Sequence, residues 1–594
     1  MSSSYDGIIL FSTSFIIRLL FVFLGSYLDG LSMDSNWSIY YTDIDYSVLT
    51  DGSAFMSSFS SPYERSTYRY PPLLALLLIP NGYMPSFGKI LFSLFDSMIS
   101  YEIYVINNIK HKNKGSNNSI KYETASHDSG LYTGIFSWIW VVNVISINIC
   151  TRGSFDSLNN YLLLLIIRLC YQFRSIPVVD SSIYGSIRHV AVIGLLLGLL
   201  IYFRLYPIIY LPAFMVYMMN SSSISSSSSS QLDDNNNNRS NNMRNVAKSS
   251  DGSQHVNTTG ASVSPTISRR IDFKNSSKYS SSVSDYNTGD DVNVNSNPKK
   301  RSIGAVVHSS NPSNNIISKT YRSDSNTHVD QQITVSNDDE GIVRARSSHY
   351  FNGIKHSMVL AAFTAMTLLL LVTMSYHIYG KEYLDNAVLY HLDRTDYRHN
   401  FSIHFYWTYL KQALTDRHNV FYEMLDVIVA KQYWPFTIDS LPLVARGISS
   451  YLYLSSVLFF LPQLLLSIVV IYKVIDIDLS LCLLLLTLIF VAYNKVVTAQ
   501  YFTWYICLLP TSLTSLPSTS LMKLGQALLY WVLCCLLWLC TAYGLEFNGR
   551  NSDAAVDAVA ELLSDVYATV WLSSVLFHAV SVLCIVYIVK AIDR

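Results

Sequence analysis

The sequence predicts an all-α polytopic membrane protein. Two observations carry that reading: half of the 594 residues are hydrophobic while only 14% are charged, and the apolar residues cluster into long runs. Val190 to Tyr210, His356 to Tyr376, Ser450 to Tyr472 and Gln526 to Tyr543 are near-continuous apolar stretches. A helix rises about 1.5 Å per residue, so about 18 to 20 such residues cross a hydrocarbon core roughly 30 Å thick. Further runs at Leu131 to Cys150, Leu158 to Cys170, Leu479 to Tyr493 and Val570 to Val589 bring the expected total to about eleven to thirteen spans. Ile8 to Leu24 is interrupted by Arg18 and followed by no small-residue cleavage site, so it reads as an uncleaved first helix.

The chain divides into three regions. Residues 1–219 form an N-terminal membrane block that includes a first acidic loop, and 350–594 form a C-terminal membrane block. Between them, 220–349 opens with SSSISSSSSSQLDDNNNN and stays rich in Ser and Asn. Such a segment buries too little apolar surface to offset its ordering entropy, so it is expected to be a disordered insert.

Charge orients the blocks. Lys110, Lys112 and Lys114 in NNIKHKNKG place their loop in the cytosol by the positive-inside rule. One crossing earlier, the segment from Ser26 to about Tyr70 then faces the lumen. It is a polar, aromatic stretch of roughly 45 residues, long for a simple connection. Thr151-Arg152-Gly153 is luminal by the same count. If Val192 to Tyr202 and Tyr206 to Met219 form a hairpin through the membrane, the Ser/Asn insert is cytosolic.

Net charge is zero, which excludes a broad electrostatic grip on nucleic acid. All eight Cys lie in or beside apolar runs and form no CxxC or Cys/His pattern, so neither zinc nor a disulfide framework is expected. Phosphate-cradling Gly-rich loops and nucleophile elbows are missing from the sequence.

Chemistry concentrates in the first luminal loop, YYTDIDYSVLTDGSAFMSSFSSPYERSTYRYPPLL, which holds Asp43, Asp45, Asp51, Glu64, Arg65 and Arg69. Acidic groups against a membrane are costly unless they are solvated or paired, which makes them candidates for a site. The DxD spacing alone is weak, because Asp476-Ile-Asp478 repeats it beside Lys473, where a basic flank points to a solvated cytosolic loop. If residues 43 to 45 are helical the two carboxylates diverge, and if extended they share a face. Sugar transfer from a lipid phosphate needs a carboxylate to take the acceptor proton and cations to meet the leaving phosphate. Candidate cations and polar partners at other luminal ends are Arg152 in ICTRGSFDS and Arg204 in IYFRLYPIIYLP. His391, Arg394, Arg398 and His399 lie in YHLDRTDYRHNFSIHFYW, and Lys495 and Gln500 in YNKVVTAQYFTWYICLLP. His391 and His399 are eight apart with no third ligand in register, so no metal is expected.

These segments resemble one family, GPI mannosyltransferase 1, the PIG-M catalytic subunit. YTDIDYSVLTDGSAF followed by SPYERSTYRYPPLLALLLIPN is similar to that family's characteristic stretch. ICTRGSFDS, RLYPIIYLP, YHLDRTDYRHNFSIHFYW, YNKVVTAQYFTWYICLLP and AYGLEFNGRN resemble its later motifs in the same order. The resemblance covers both hydrophobic blocks and leaves out the insert. It implies a GT-C-type fold with catalytic loops on the luminal side of the endoplasmic reticulum. It also implies dolichyl-phosphate mannose as donor, no cofactor, and glucosaminyl-phosphatidylinositol, often inositol-acylated, as acceptor. An α1,4-linked product formed by inversion is implied, with Asp43 or Asp45 as the base, as is a small non-catalytic subunit resembling PIG-X. The competing class is a polytopic lipid or sugar transporter or scramblase. That class calls for matching repeats in the two halves, which the sequence does not display.

Overall fold

The computed structural model describes residues 2–34, 40–117, 134–175, 183–220, 337–394, 400–405, 461–548 and 565–592. It consists of helices and turns, with no strand among the described residues. The N-terminal block comprises α1 (Ser2–Asp34), α2 (Ile44–Ser57), α3 (Pro72–Leu77) and α4 (Phe87–Asn117). It continues with α5 (Gly134–Val141), α6 (Val144–Thr151), α7 (Asp156–Ser175), α8 (Ile183–Phe203) and α9 (211–220). After the insert come α10 (Asn337–Tyr383), α11 (Tyr390–Asp393), α12 (Leu461–Val474) and α13 (Leu479–Ala492). The chain closes with α14 (Phe502–Ile506), α15 (Leu509–Leu513), α16 (Ser518–Asn548) and α17 (Asp565–Ile592). One compact unit holds residues 1–226 and 348–594; the other, 227–347, is described only at 337–347, where α10 begins.

Among the described residues six helices are long and apolar enough to cross a membrane, or seven if the bent pair α5–α6 is one span. Their surfaces identify the solvent. Only 17% of the best span window in Tyr350–Leu389 is buried, and Leu369 and Leu370 are 70% and 64% exposed. Apolar surface on that scale is stable against lipid and not against water. The stretch Leu131 to Cys150 is not one straight span, because it bends by 41° between α5 and α6. Asn143 sits at the bend, and its side chain accepts from Ser146 N–H to cap α6. The arm expected at Val192 to Tyr202 is the C-terminal part of a longer span, Gly185–Phe203.

Two expectations about polar segments change. The acidic loop expected at the lumen is largely helical, because its residues 44–57 form α2 under a core of Tyr46, Val48 and Leu49. The duplicate Asp476-Ile-Asp478 is not a solvated loop either. Asp478 caps α13 through Leu481 N–H at 2.8 Å and pairs with Lys110 Nζ at 2.7 Å, with both side chains 5% exposed. Tyr171 and Ser515 hydroxyls donate to the same carboxylate, at 3.1 and 2.9 Å. Lys110 is therefore a buried ion-pair partner and not an interfacial lysine, while Asp476 stays exposed beside Asn220.

Helix α4 places the two acidic pairs at opposite ends. Lys110 near its C-terminus meets Asp478, and Lys89 near its N-terminus donates to Thr42, next to Asp43, at 2.5 Å. At about 1.5 Å of rise per residue these lysines stand about 32 Å apart along the axis, roughly one hydrocarbon thickness. The two DxD copies thus lie on opposite faces of the bundle.

Candidate active site

Asp43 has extended backbone angles (φ −70°, ψ 143°) and is the N-cap of α2, its carboxylate accepting from Asp45 N–H at 3.4 Å. Asp45 lies in the first helical turn. Both carboxylates therefore sit at a helix N-terminus, where exposed N–H groups and the helix dipole favour negative charge. The change from extended to helical backbone at Asp43 settles their direction: the pair is neither wholly helical nor wholly extended, and both side chains reach one partner. Gln500 Nε2 lies 3.1 Å from Asp45 Oδ2 and 3.5 Å from Asp43 Oδ2.

Arg152 is held against the same cap. Its carbonyl accepts from Asp43 N–H at 3.1 Å, its Nε donates to the Tyr41 carbonyl at 2.9 Å, and its Nη2 stands 4.0 Å from Asp43 Oδ2. Gly153 makes this approach possible. Its φ is +102°, and an added Cβ would meet the Tyr46 ring at 2.4 Å.

Arg204 binds Asp156 through two nitrogens, at 3.1 and 3.2 Å, with its guanidinium 4.4 Å above the Phe155 ring. This fork geometry fixes the guanidinium, whose charge also acts on Asp45 and Tyr70. Asp156 is a site residue that motif reading missed. The available signal was its position in RGSFDS, just after Arg152 and at the start of an apolar run.

The third wall comes from the C-terminal block. Gln500 sits in a 3-10 turn, Ala499–Tyr501, at the entrance to α14. The stretch before it is fastened to residues 400–402: Phe401 N–H donates to the Val497 carbonyl at 2.8 Å, and Val497 N–H to Asn400 Oδ1 at 2.9 Å. Lys495 takes part through its carbonyl, which accepts from Asn400 Nδ2 at 3.2 Å. Arg394 Nη1 donates to the Tyr501 hydroxyl at 3.1 Å, one residue from Gln500. Arg69 stacks over Tyr390 at 4.4 Å, and the Arg69 carbonyl accepts from His391 Nε2–H at 3.1 Å.

Electrostatics assign states to these groups. Burial, then the neighbouring Asp45 charge, raises the Asp43 pKa above the ordinary carboxylate value, and Arg152 opposes that rise. Burial, then the charge of Arg204, pushes the His391 pKa down to about 4. His391 is therefore a neutral hydrogen-bond donor near pH 7 and not the cation expected from sequence. Tyr70 is driven well above the usual tyrosine value by burial and the Asp45 charge, so it stays a neutral phenol beside the acidic pair.

Of the remaining candidates, Arg65 is not brought to the site. It forms an exposed pair with Asp51 at 2.9 Å, the two side chains 37% and 50% exposed. Arg398 and His399 lie outside the described residues. No three His, Cys, Asp or Glu side chains among the described residues converge as a metal-binding group.

Comparison with known proteins places the chain among mannosyltransferases of GPI-anchor synthesis. Residues 329–589 match the family described as mannosyltransferase (PIG-M), and residues 12–264 match the description GPI transamidase subunit PIG-U. A relative from Candida albicans named GPI mannosyltransferase 1 is 28% identical, covering 91% of this chain and 92% of its own length. A Dictyostelium discoideum protein of the same name is 26% identical over 98% of the chain and 90% of its own length. A Danio rerio protein named GPI alpha-1,4-mannosyltransferase I, catalytic subunit, is 26% identical over 96% and 93%.

Proposed function

Because the chain belongs to the PIG-M mannosyltransferase family, a multi-pass membrane glycosyltransferase of GPI-anchor synthesis, we propose that it adds the first mannose to glucosaminyl-phosphatidylinositol from dolichyl-phosphate mannose. The observation that carries this reading is the convergence of Asp43, Asp45 and Gln500 at one helix N-terminus, flanked by Arg152 and Arg204.

The acceptor hydroxyl loses its proton to Asp43 as its oxygen bonds to mannose C1 and the C1–O bond to the phosphate breaks. Asp43 is the better base of the two, because its basicity is raised by burial and by Asp45. Asp45 keeps Gln500 in place and supplies the repulsion that raises the Asp43 pKa. Dolichyl phosphate leaves with the electron pair and needs no proton. Arg152 and Arg204, held by backbone and by Asp156, are preorganised to meet its charge. Attack opposite the leaving phosphate inverts the β-linked donor to an α-linkage, and the name of the Danio rerio relative suggests the 4-position. An apolar cavity lined by Phe401, Leu484, Leu488, Trp531 and Phe577 lies behind the 494–500 segment and suits a lipid chain.

The acidic pair lies at the opposite end of α4 from Lys112, whose basic flank is read as cytosolic, which supports catalysis on the luminal face of the endoplasmic reticulum. A small non-catalytic subunit similar to PIG-X belongs to the same proposal, and co-purification with the full chain tests it. The central test is transfer of labelled mannose from dolichyl-phosphate mannose to glucosaminyl-phosphatidylinositol by the purified chain. Asp43→Asn is expected to abolish product at unchanged abundance, and wild-type transfer by that variant would remove the proposed base.

A further inference from the structure

Arg18 and Asp96 are deeply buried charges of the N-terminal block, 0% and 1% exposed. Both lie within membrane spans, Tyr5–Ser32 and Phe87–Asn113. Charge at that depth is costly and persists where it does a specific job. Arg18 Nε is 2.5 Å from Asp96 Oδ2, and the other guanidinium donors are directed at a helix break. Nη1 reaches Ser14 Oγ at 2.6 Å and the Val141 carbonyl at 3.3 Å; Nη2 reaches the Trp140 carbonyl at 3.4 Å and Ser146 Oγ at 3.1 Å. Trp140 and Val141 end α5, where the 41° bend leaves carbonyls without a following helical turn. In hydrocarbon such carbonyls need donors from within the protein: Trp140 is shared between Asn143 N–H at 3.2 Å and Arg18, and Val141 accepts from Arg18.

Asp96 ties down the chain on the far side of the bend. Its Oδ2 accepts from Ser146 Oγ at 2.7 Å, its Oδ1 from Ser157 Oγ at 3.2 Å, and its carbonyl from Trp140 Nε1 at 2.9 Å. Ser146 belongs to α6, which runs into Arg152. Ser157 is the neighbour of Asp156, which holds Arg204. One carboxylate therefore fastens the origins of both arms that bring guanidinium groups to the acidic pair.

We infer that Arg18 and Asp96 are positioning residues for transfer, setting the separation of Arg152 and Arg204 across the Asp43–Asp45 site. The inference rests on the reading of that pair as the transfer site. Apolar residues of similar volume often replace a buried ion pair without loss of stability, so the charge of the Arg18–Asp96 pair is not itself needed to pack the helices. The pair's hydrogen bonds to the bend are lost in such a replacement. Its orientation of a broken helix is what such residues cannot reproduce.

The test uses the full chain carrying Arg18→Met with Asp96→Leu, compared with wild type for abundance, thermal stability in detergent, kcat and KM. The expected result is a chain that still accumulates but melts at a lower temperature, because the Val141 carbonyl and the Ser146 and Ser157 hydroxyls lose partners. KM for donor and acceptor should be unchanged and kcat lowered about 10- to 100-fold, the scale of an ångström-sized misplacement. The acid limb of the rate profile should also move to higher pH. Asp43 faces Asp45, Gln500 and Arg152, and only Arg152, whose charge lowers its pKa, is displaced. Transfer at the wild-type rate by the folded double variant overturns the inference. If the double variant does not accumulate, Ser146→Ala and Ser157→Ala each remove one hydrogen bond to Asp96. Reduced kcat at unchanged KM and abundance supports positioning, and wild-type kcat in both overturns it. Asp43→Asn is assayed beside them. Wild-type transfer by Asp43→Asn defeats the reading of the site itself, a failure separate from that of the network.

Discussion

Gln500 Nε2 stands 3.1 Å from Asp45 Oδ2, joining side chains 455 residues apart in the chain. The same nitrogen lies 3.5 Å from Asp43, so a single amide from the C-terminal block closes the acidic pair of the N-terminal block. Gln500→Ala should lower kcat about tenfold, less than the roughly 100-fold or more lost with a general base itself, because the amide orients the carboxylates and exchanges no proton. Gln500→Glu should be worse, because it adds a third carboxylate. Mannose transfer at matched protein levels measures both, and an active Gln500→Glu chain would contradict the arrangement.

The two aspartates should separate by pH. Asp43 acts as base when ionised, so kcat/KM should fall as pH drops through its raised pKa. Asp45→Asn removes the repulsion that contributes to the rise, so its acid limb should move to lower pH, with residual activity. Asp43→Asn should have no such limb because it has no base. An unchanged limb in Asp45→Asn would separate the two groups electrostatically and count against the pair.

His391 should affect acid stability. Its folded-state pKa of about 4 lies below the ordinary histidine value of 6.5, so the neutral ring is favoured on folding. That contribution is present above about pH 6.5 and is lost as pH falls toward about 4. The thermal midpoint of wild type in detergent should drop more steeply across this window than that of His391→Gln. Parallel curves would place the His391 ring in a solvated setting.

Gly153→Ala should destabilise the chain by about 1 to 3 kcal/mol from the positive φ alone, with more from the Tyr46 contact. Because Asp43 N–H donates to the neighbouring Arg152 carbonyl, activity should fall with stability. Gly134→Ala is the control, since a Cβ there meets nothing within 4 Å. Equal thermal midpoints for the two variants would refute the tight approach.

The duplicate motif should divide by burial. Asp476→Ala should leave transfer and stability near wild type. Asp478→Ala removes the counter-charge of Lys110, leaving its bond to the Thr511 carbonyl, and should cost about 3 to 5 kcal/mol, as removal of one partner of a buried pair does. Lys110→Met added to Asp478→Leu should recover much of that loss. Differential scanning in detergent reads all three.

The membrane class and several residues that meet around α2 are legible in the sequence, because apolar run length and motif order are local properties. YTDIDY, ICTRG, FRLYP and TAQYF each hold a residue that the fold gathers around the start of α2. Other features depend on which groups meet in space. Arg204 looks like an isolated cation until Asp156 is seen beneath it, and His391 looks cationic until burial and Arg204 hold it neutral. Lys110 reads as a topology marker, yet it lies in the interior on Asp478. The sequence by itself determined where helices cross and which polar segments resist the membrane, since hydrophobic transfer follows composition along the chain. Only the tertiary structure decided how Asp43 and Asp45 point, which cations stay charged beside them, and that Arg18 and Asp96 fasten the broken helix behind them. Those outcomes depend on desolvation and hydrogen bonding between groups hundreds of residues apart, which no local spacing records.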